Sequence, residues 1–225
     1  MTILFEDTFL TGDYSKWTTK STTGNASMEI TTEKRYCGLY SSKNIFPEYY
    51  TEQYCNLWKE FASLPSTVYR RNYVWLSSLP SAGKKITYLA CIFNPAYAEW
   101  LAIGVDGYAR WIITYRNNKS TSAGYICIPA PTAKKWHCIE AKLVLSAGNG
   151  EVRVWIDGEE RFSITGLDNV TGETYMPNNI NGGAGFFGGA DKNYEVYQAC
   201  IKVADEYIGL VSLKSSIMMQ VKGGL

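Results

Sequence analysis

The sequence predicts an all-β protein, a sandwich of two antiparallel sheets. Three observations carry this. Apolar and polar residues alternate with period two in many short runs, and no run of helical period exceeds two turns. Clusters of Gly, Pro, Asn and Ser divide those runs at regular spacing. The chain has 225 residues, 46% of them hydrophobic, which is enough to bury a core and within the usual length of a single sandwich.

The expected strands are 3–9, 28–32, 38–43, 54–61, 67–77, 86–94, 100–105, 108–116, 124–128, 136–145, 151–156, 159–165 and 194–204. In the fifth, Val74 and Leu76 share the core face, and Arg71, Tyr73 and Trp75 share the other. Asp106-Gly107 suits a two-residue hairpin between the seventh and eighth. In the eighth, Trp111, Ile113 and Tyr115 point to the core, while Arg110, Thr114 and Arg116 face outward. In the strand opened by Trp136, His137 alternates with Ile139, Ala141 and Leu143 and faces the core. Glu140 and Lys142 lie opposite, with Cys138. Asn149-Gly150 precedes the next strand, and Asp157-Gly158 turns it into its successor. The glycine-rich stretch 181–189 lacks the Gly-Lys-Ser/Thr of a phosphate loop and precedes a strand, so it reads as a surface loop or a bulged strand. In the last strand, Gln198, Cys200 and Lys202 share the non-core face. No linker or repeat divides the chain. Residues 1–210 are expected to form one domain, with 211–225 a tail docked on it or on a neighbouring subunit.

Charge and composition narrow the partners. Net charge is +1, from 22 basic and 21 acidic residues with no concentrated block, so a nucleic-acid partner is not expected. No apolar run is long enough to span a bilayer, so membrane insertion is not expected. The N-terminus lacks the pattern of a signal peptide. An extracellular, cell-surface or virion-surface location is the expectation. The six cysteines form no CxxC, which excludes the common zinc, thioredoxin and haem motifs. They are expected to be buried thiols. Two pairings are the alternatives: Cys138 with Cys200, on like faces of their strands, and Cys37 with Cys55, on consecutive strands.

The opening stretch Leu4–Trp17, the strand Trp136–Lys142 followed by the hairpin Gly150–Gly158, and the closing stretch Tyr194–Gly209 together resemble the concanavalin A-like, laminin-G-like jelly rolls. The resemblance covers nearly the whole chain. It implies two curved antiparallel sheets with a concave face, in a superfamily of lectins, carbohydrate-binding modules, glucanases, polysaccharide lyases and adhesion domains. Fold alone does not choose among these. Many such proteins hold a structural Ca²⁺ near the first and last strands, where Glu6, Asp7 and Asp205 are the matching oxygen donors. No other metal or cofactor is implied.

The chemistry of the known enzymes of this fold is hard to place on the sequence. The Glu-x-Asp-x-x-Glu strand of the glucanases, which presents two carboxylates on one face, is absent. Glu29 and Glu33 have no Asp between them, and Asp157-Gly158-Glu159-Glu160 sits at a turn. His137 is the one histidine and points to the core, so Ser–His–Asp and Cys–His arrangements have no free base. The expectation is a non-enzyme. Aromatic residues make up 14% of the chain, and Tyr and Trp rings stack on sugars while offering a polar handle. One sheet face is expected to gather Arg71, Tyr73, Trp75, Arg110, Arg116, Glu140, Lys142, Gln198 and Lys202 as a glycan site. Trp155, and Tyr97 with Trp100 at a loop end, are further candidates. The leading expectation is a non-catalytic, lectin-like module for surface or matrix glycans. The alternatives are a structural or decoration subunit of a larger assembly, such as a virion head or tail or a surface filament, with the tail contacting other subunits, and a polysaccharide lyase or glycoside hydrolase fragment.

Overall fold

The computed structural model describes residues 1–118 and 120–211. Its strands are β1 (Ile3–Asp7), β2 (Thr19–Thr23), β3 (Ser27–Thr31), β4 (Ser41–Phe46), β5 (Gln53–Glu60), β6 (Thr67–Leu76), β7 (Lys85–Phe93) and β8 (Glu99–Asp106). They continue with β9 (Trp111–Asn117), β10 (Ser120–Ile126), β11 (Trp136–Val144), β12 (Ala147–Ile156), β13 (Glu159–Asp168), β14 (Asn179–Asn181), β15 (Ala184–Phe187) and β16 (Tyr194–Ala204). The first sheet runs β13-β12-β11-β6-β16-β4-β3, with β1 also on β16. The second runs β10-β9-β8-β7, then β14 and β15 end to end, then β5 and β2. This is the two-sheet antiparallel jelly-roll sandwich that the sequence predicts.

Alternation builds the core as expected. Ile139, Ala141 and Leu143 of β11 sit opposite Ile156, Val154 and Val152 of β12, all buried. Each such large aliphatic side chain contributes about 1.5–3 kcal/mol by leaving water. Trp111 and Trp100 join them from the second sheet, both fully buried. His137 is buried as expected, between Asp157 Oδ2 (2.9 Å) and the Thr132 carbonyl (3.1 Å).

Three irregularities depart from plain alternation. The glycine-rich stretch is not a surface loop: β14 and β15 are buried in mid-sheet, interrupted at Gly182-Gly183. Glycine is needed there because a Cβ on Gly183 would overlap the Cys55 carbonyl. β7 carries a bulge between Ile86 and Ala90, with Tyr88 at φ 63°. β16 carries another between Ala199 and Lys202, with Cys200 at φ 54°. The β16 bulge adds one residue and reverses the facing of those that follow, whereas the β7 bulge sets three residues, Thr87–Leu89, against Gly104, exchanges the facing of Tyr88 and Leu89, and leaves Ala90 and Ile92 in phase with Ile86.

The bulge in β16 decides the cysteine chemistry. Cys200 bonds to Cys37, Cα atoms 6.0 Å apart, so both expected pairings are corrected. Cys138 stays a buried thiol two strands away, and Cys55 is a buried thiol whose Sγ donates to the Ser27 carbonyl (3.2 Å). The bridge spans 163 residues of sequence. Cys37→Ser is expected to lower unfolding free energy by about 2–4 kcal/mol, read as a shifted urea midpoint. The wild-type chain in reductant should shift alike. Equal midpoints would mean that the loop is held without the bond.

A polar seam joins the sheets behind the two irregular strands of the second sheet. Arg70, Asn72 and Gln198 point inward from the first sheet and are fully buried. Arg70 donates to the Cys91 carbonyl of β7 and to the Asn181 carbonyl of β14 (2.8 Å). Asn72 donates to the Leu89 carbonyl and to Gln198 Oε1 (3.1 Å), and Gln198 donates to the Gly183 carbonyl (2.6 Å). Broken ladders leave backbone carbonyls unpaired, and side chains from the opposite sheet satisfy them.

Candidate functional site

The residues expected to form one glycan face are divided among four places. Arg71, Tyr73, Trp75, Glu140, Lys142, Trp155 and Lys202 do lie on the outer face of the first sheet, but the chain itself covers much of it. Glu140 accepts from the Ile208 and Gly209 amides (2.6 and 2.9 Å). Arg71 donates to the Gly209 carbonyl (2.7 Å), and the Tyr73 hydroxyl accepts from the Val211 amide (2.8 Å). Tyr36 stacks on Tyr73 at 4.0 Å, and Tyr207 packs on Trp155 at 5.1 Å. Trp75 meets Tyr197 edge-on at 5.2 Å, with the Lys34 ammonium over its ring. Lys142 pairs with Glu151 and Lys202 with Glu6. This face is a docking channel for residues 207–211, not an open platform. The rest of the expected tail lies outside the described residues.

Gln198 belongs to the interior seam, because the β16 bulge lies between it and Lys202. Trp100 belongs to the core, its Nε1 donating to the Asn169 carbonyl (2.9 Å). Arg110, Arg116 and Tyr97 lie on the other sheet. The three expected calcium donors do not converge. Asp7 is buried and accepts from the Phe9 amide (2.7 Å) and Trp17 Nε1 (2.7 Å), Glu6 faces Lys202, and Asp205 Oδ1 accepts from the Thr2 amide (2.6 Å). Among the described residues no group of three potential metal ligands occurs.

The open face is the outer side of the second sheet. Its centre is a depression of about 100 Å³ lined by Lys85, Thr87 and Tyr88 of β7, Glu99 and Gly104 of β8, Ile112 and Thr114 of β9, and Phe187 of β15. The β7 bulge makes it. With two extra residues, Tyr88 follows Thr87 onto the outer face and Leu89 returns to the core. Gly104 lies opposite, and a Cβ there would overlap the Ile86 carbonyl. Tyr54 stacks on Tyr88 at 6.2 Å, and Phe187 meets both rings edge-on (5.3 and 5.8 Å). Phe93, Trp58 and Tyr97 continue the aromatic surface at one end, with Tyr97 on Trp58 at 5.1 Å.

Polar groups converge inside this wall. Glu99 Oε1 accepts from the Thr114 hydroxyl (2.6 Å) and its carboxylate lies beside the Tyr88 hydroxyl. Burial, and then the Glu99 charge, hold the Tyr88 phenol far above its ordinary range. Burial and Glu52 raise Tyr54 in the same way. The Lys85 ammonium lies over the Phe187 ring (4.8 Å) and stays exposed. The Thr87 hydroxyl has no protein partner among the described residues. The site thus offers a proton donor, a carboxylate beside it and a cation at its rim.

Sequence reasoning missed Tyr54, Lys85, Tyr88, Glu99 and Phe187. Tyr54 and Trp58 were within reach, because Cys55 and Leu57 alternate with them. Tyr88 was not, since its facing depends on the bulge.

The fold is that of the concanavalin A-like jelly rolls, a class that includes polysaccharide-degrading enzymes. No protein-family model matches the chain, and no curated protein is significantly similar to it in sequence. Among solved structures it is similar to an endo-β-1,4-glucuronan lyase from the fungus Trichoderma reesei (TM-score 0.69, 12% identity, 91% of this chain and 96% of that one). It is also similar to a cellulose-induced protein, Cip1 (0.62, 18%, 92% and 100%), and to a GH131 β-glucanase catalytic domain from Podospora anserina (0.63, 11%, 93% and 98%). These likenesses correct the expectations of a non-catalytic lectin and of a non-enzyme. A lyase and a glucanase catalytic domain share the fold over nearly their full length. The missing Glu-x-Asp-x-x-Glu strand and the lone histidine are therefore no ground for excluding catalysis, and the lyase or hydrolase alternative is the better supported one. Among the described residues no helix is long and apolar enough to cross a membrane.

Proposed function

We propose that the chain is a polysaccharide-degrading enzyme of the lyase class, cleaving a uronate-containing glycan on the outer face of the second sheet. The observation that carries this is the β7 bulge, which sets the Tyr88 hydroxyl beside Glu99 in a depression walled by Tyr54 and Phe187. The likeness to a glucuronan lyase supports the substrate class.

The chemistry follows from the groups present. β-Elimination from a uronate needs its carboxylate screened, its C5 proton removed and its C4 oxygen protonated as it leaves. Lys85 meets the substrate carboxylate. Glu99 accepts the C5 proton, the C4–O4 bond breaks as a C4=C5 double bond forms, and Tyr88 donates its proton to O4. Glu99 then returns a proton to the neighbouring Tyr88 oxygen, which restores both groups. A phenol held well above its ordinary range still protonates a leaving alkoxide of comparable basicity. Hydrolysis by paired carboxylates fits less well, because among the described residues Glu99 is the one carboxylate lining the depression.

The test is incubation with β-1,4-glucuronan, following ultraviolet absorbance of the unsaturated product and the reducing ends together. Both rising in step support elimination. Reducing ends without absorbance make the chain a hydrolase, and neither signal removes the reading.

A further inference from the structure

The open face extends beyond the depression, and its far end has features of its own. Tyr125 of β10 pairs with Ile112 of β9, which lines the depression, so both side chains stand on the same outer face. Beside them the β8–β9 hairpin presents Tyr108 and Arg110. The Arg110 guanidinium lies 4.3 Å from the Tyr125 ring centroid and 5.2 Å from that of Tyr108. Both rings are open to solvent, Tyr108 at 66% and Tyr125 at 51% exposure. Large rings left this exposed beside a cation mark a surface that binds something.

The hairpin is built to hold the guanidinium still. Asp106 Oδ1 accepts from the Tyr108 and Arg110 amides (3.0 and 2.9 Å). Asp106 Oδ2 accepts from Arg110 Nε and Nη2 (2.8 and 2.6 Å). Arg110 Nη1 has no protein acceptor among the described residues. A planar, fixed donor with free N–H groups beside a ring is suited to a sugar carrying a carboxylate: the ring stacks on the apolar sugar face and the guanidinium meets the carboxylate.

We propose that Tyr125, Arg110 and Tyr108 form a distal subsite for an acidic sugar residue, so that the glycan lies across the strands from Tyr88 to Tyr125. This deepens the lyase reading and rests on it. β10 lies three strands from β7, roughly 14 Å at ~4.8 Å per strand, the span of a short oligosaccharide. The floor between carries small or short side chains, Gly104, Thr114 and Ala123, which leave room for a chain lying flat. The Arg110 guanidinium at one end and the Lys85 ammonium and Glu99 carboxylate at the other favour a glycan over an apolar protein segment. Substrates that reach Tyr125 are held better than shorter ones, which makes the enzyme selective for interior, extended stretches of polymer.

The experiment is calorimetric titration of the Tyr88→Phe chain, which retains the face without turning the ligand over, with short and long β-1,4-glucuronan oligosaccharides. Parallel titrations use added Tyr125→Ala or Arg110→Gln, and thermal melts confirm that each variant is folded. The expected result is tighter binding of the long ligand, weakened about 10-fold by Tyr125→Ala, with the short ligand unaffected. Arg110→Gln should weaken the long uronate ligand but not a neutral β-1,4-glucan of equal length. Binding that depends neither on length nor on Tyr125, while the wild-type chain still forms unsaturated product, overturns the subsite and leaves the lyase reading standing. Loss of affinity for neutral and acidic ligands alike in Arg110→Gln overturns the acidic preference. No binding and no product from the wild-type chain removes the lyase reading, and the subsite with it.

Discussion

Tyr88→Phe is expected to lower the rate of product formation by about 10²–10⁴-fold while leaving the fold intact, because only the proton that reaches the leaving oxygen is removed. The Phe ring keeps the edge-on contacts with Phe93 (5.2 Å) and Phe187 (5.8 Å), so stability should change by no more than about 0.5 kcal/mol. KM should change little and kcat should carry the loss, since binding uses the ring and not the hydroxyl. The pH profile of the wild-type enzyme is a second reading of the same group. Burial and Glu99 raise the Tyr88 phenol, so it stays protonated beyond the ordinary tyrosine range. A proton donor is active below its pKa and lost above it. Tyr88 should therefore contribute no basic limb to kcat at the ordinary tyrosine pKa of about 10. A Tyr88→Phe enzyme with wild-type kcat would assign the proton transfer elsewhere.

Arg70→Met is expected to destabilise the protein by about 2–5 kcal/mol, measured by urea unfolding. Met approximates the volume but makes no hydrogen bond, so the buried Cys91 carbonyl loses its guanidinium donor and the Asn181 carbonyl keeps only the weak Cys91 Sγ donor (3.4 Å), at about 1–3 kcal/mol for each strong bond lost. An opposing effect exists. Arg70 is fully buried and forms no ion pair among the described residues, and burial lowers its pKa, so removing the charge relieves a desolvation cost. The carbonyls should win, because the guanidinium already has hydrogen bonds that offset much of that cost. They lie on β7 just past the bulge and on β14 beside it, so the variant should also lose activity through a misplaced Tyr88. A variant more stable than wild type would mean that desolvation outweighs the carbonyls.

Much of the fold was legible in the sequence, and most of the site was not. The core phases of β6, β9 and β11 follow from alternation, and so do the inward His137 and the outward Arg71, Tyr73 and Trp75. Strand β2 was missed because its five residues, Thr19–Thr23, are all exposed and carry no apolar alternation. The inward turn of Gln198 was missed because the β16 bulge shifts the count by a residue, and a one-residue shift sends every later side chain to the opposite face. The Gly182-Gly183 break keeps its register with β5 and was missed because the short strands on either side pair with strands remote in sequence, and the Cys37–Cys200 bond joins residues 163 positions apart.

By itself, then, the sequence determined the all-β class, the strand-by-strand core and the jelly-roll resemblance, because period two is local and survives in any regular strand. The tertiary structure decided which face is open. Arg71, Tyr73 and Glu140 look free when their strand is read alone, yet residues 207–211 return across the sheet and take their hydrogen bonds. Tyr54 and Phe187 come from strands far from Tyr88 and Glu99 in the chain, and only sheet order and the β7 bulge bring the four to one depression. Long-range pairing leaves no periodic trace in sequence, so the site became visible only once the sheets were assembled.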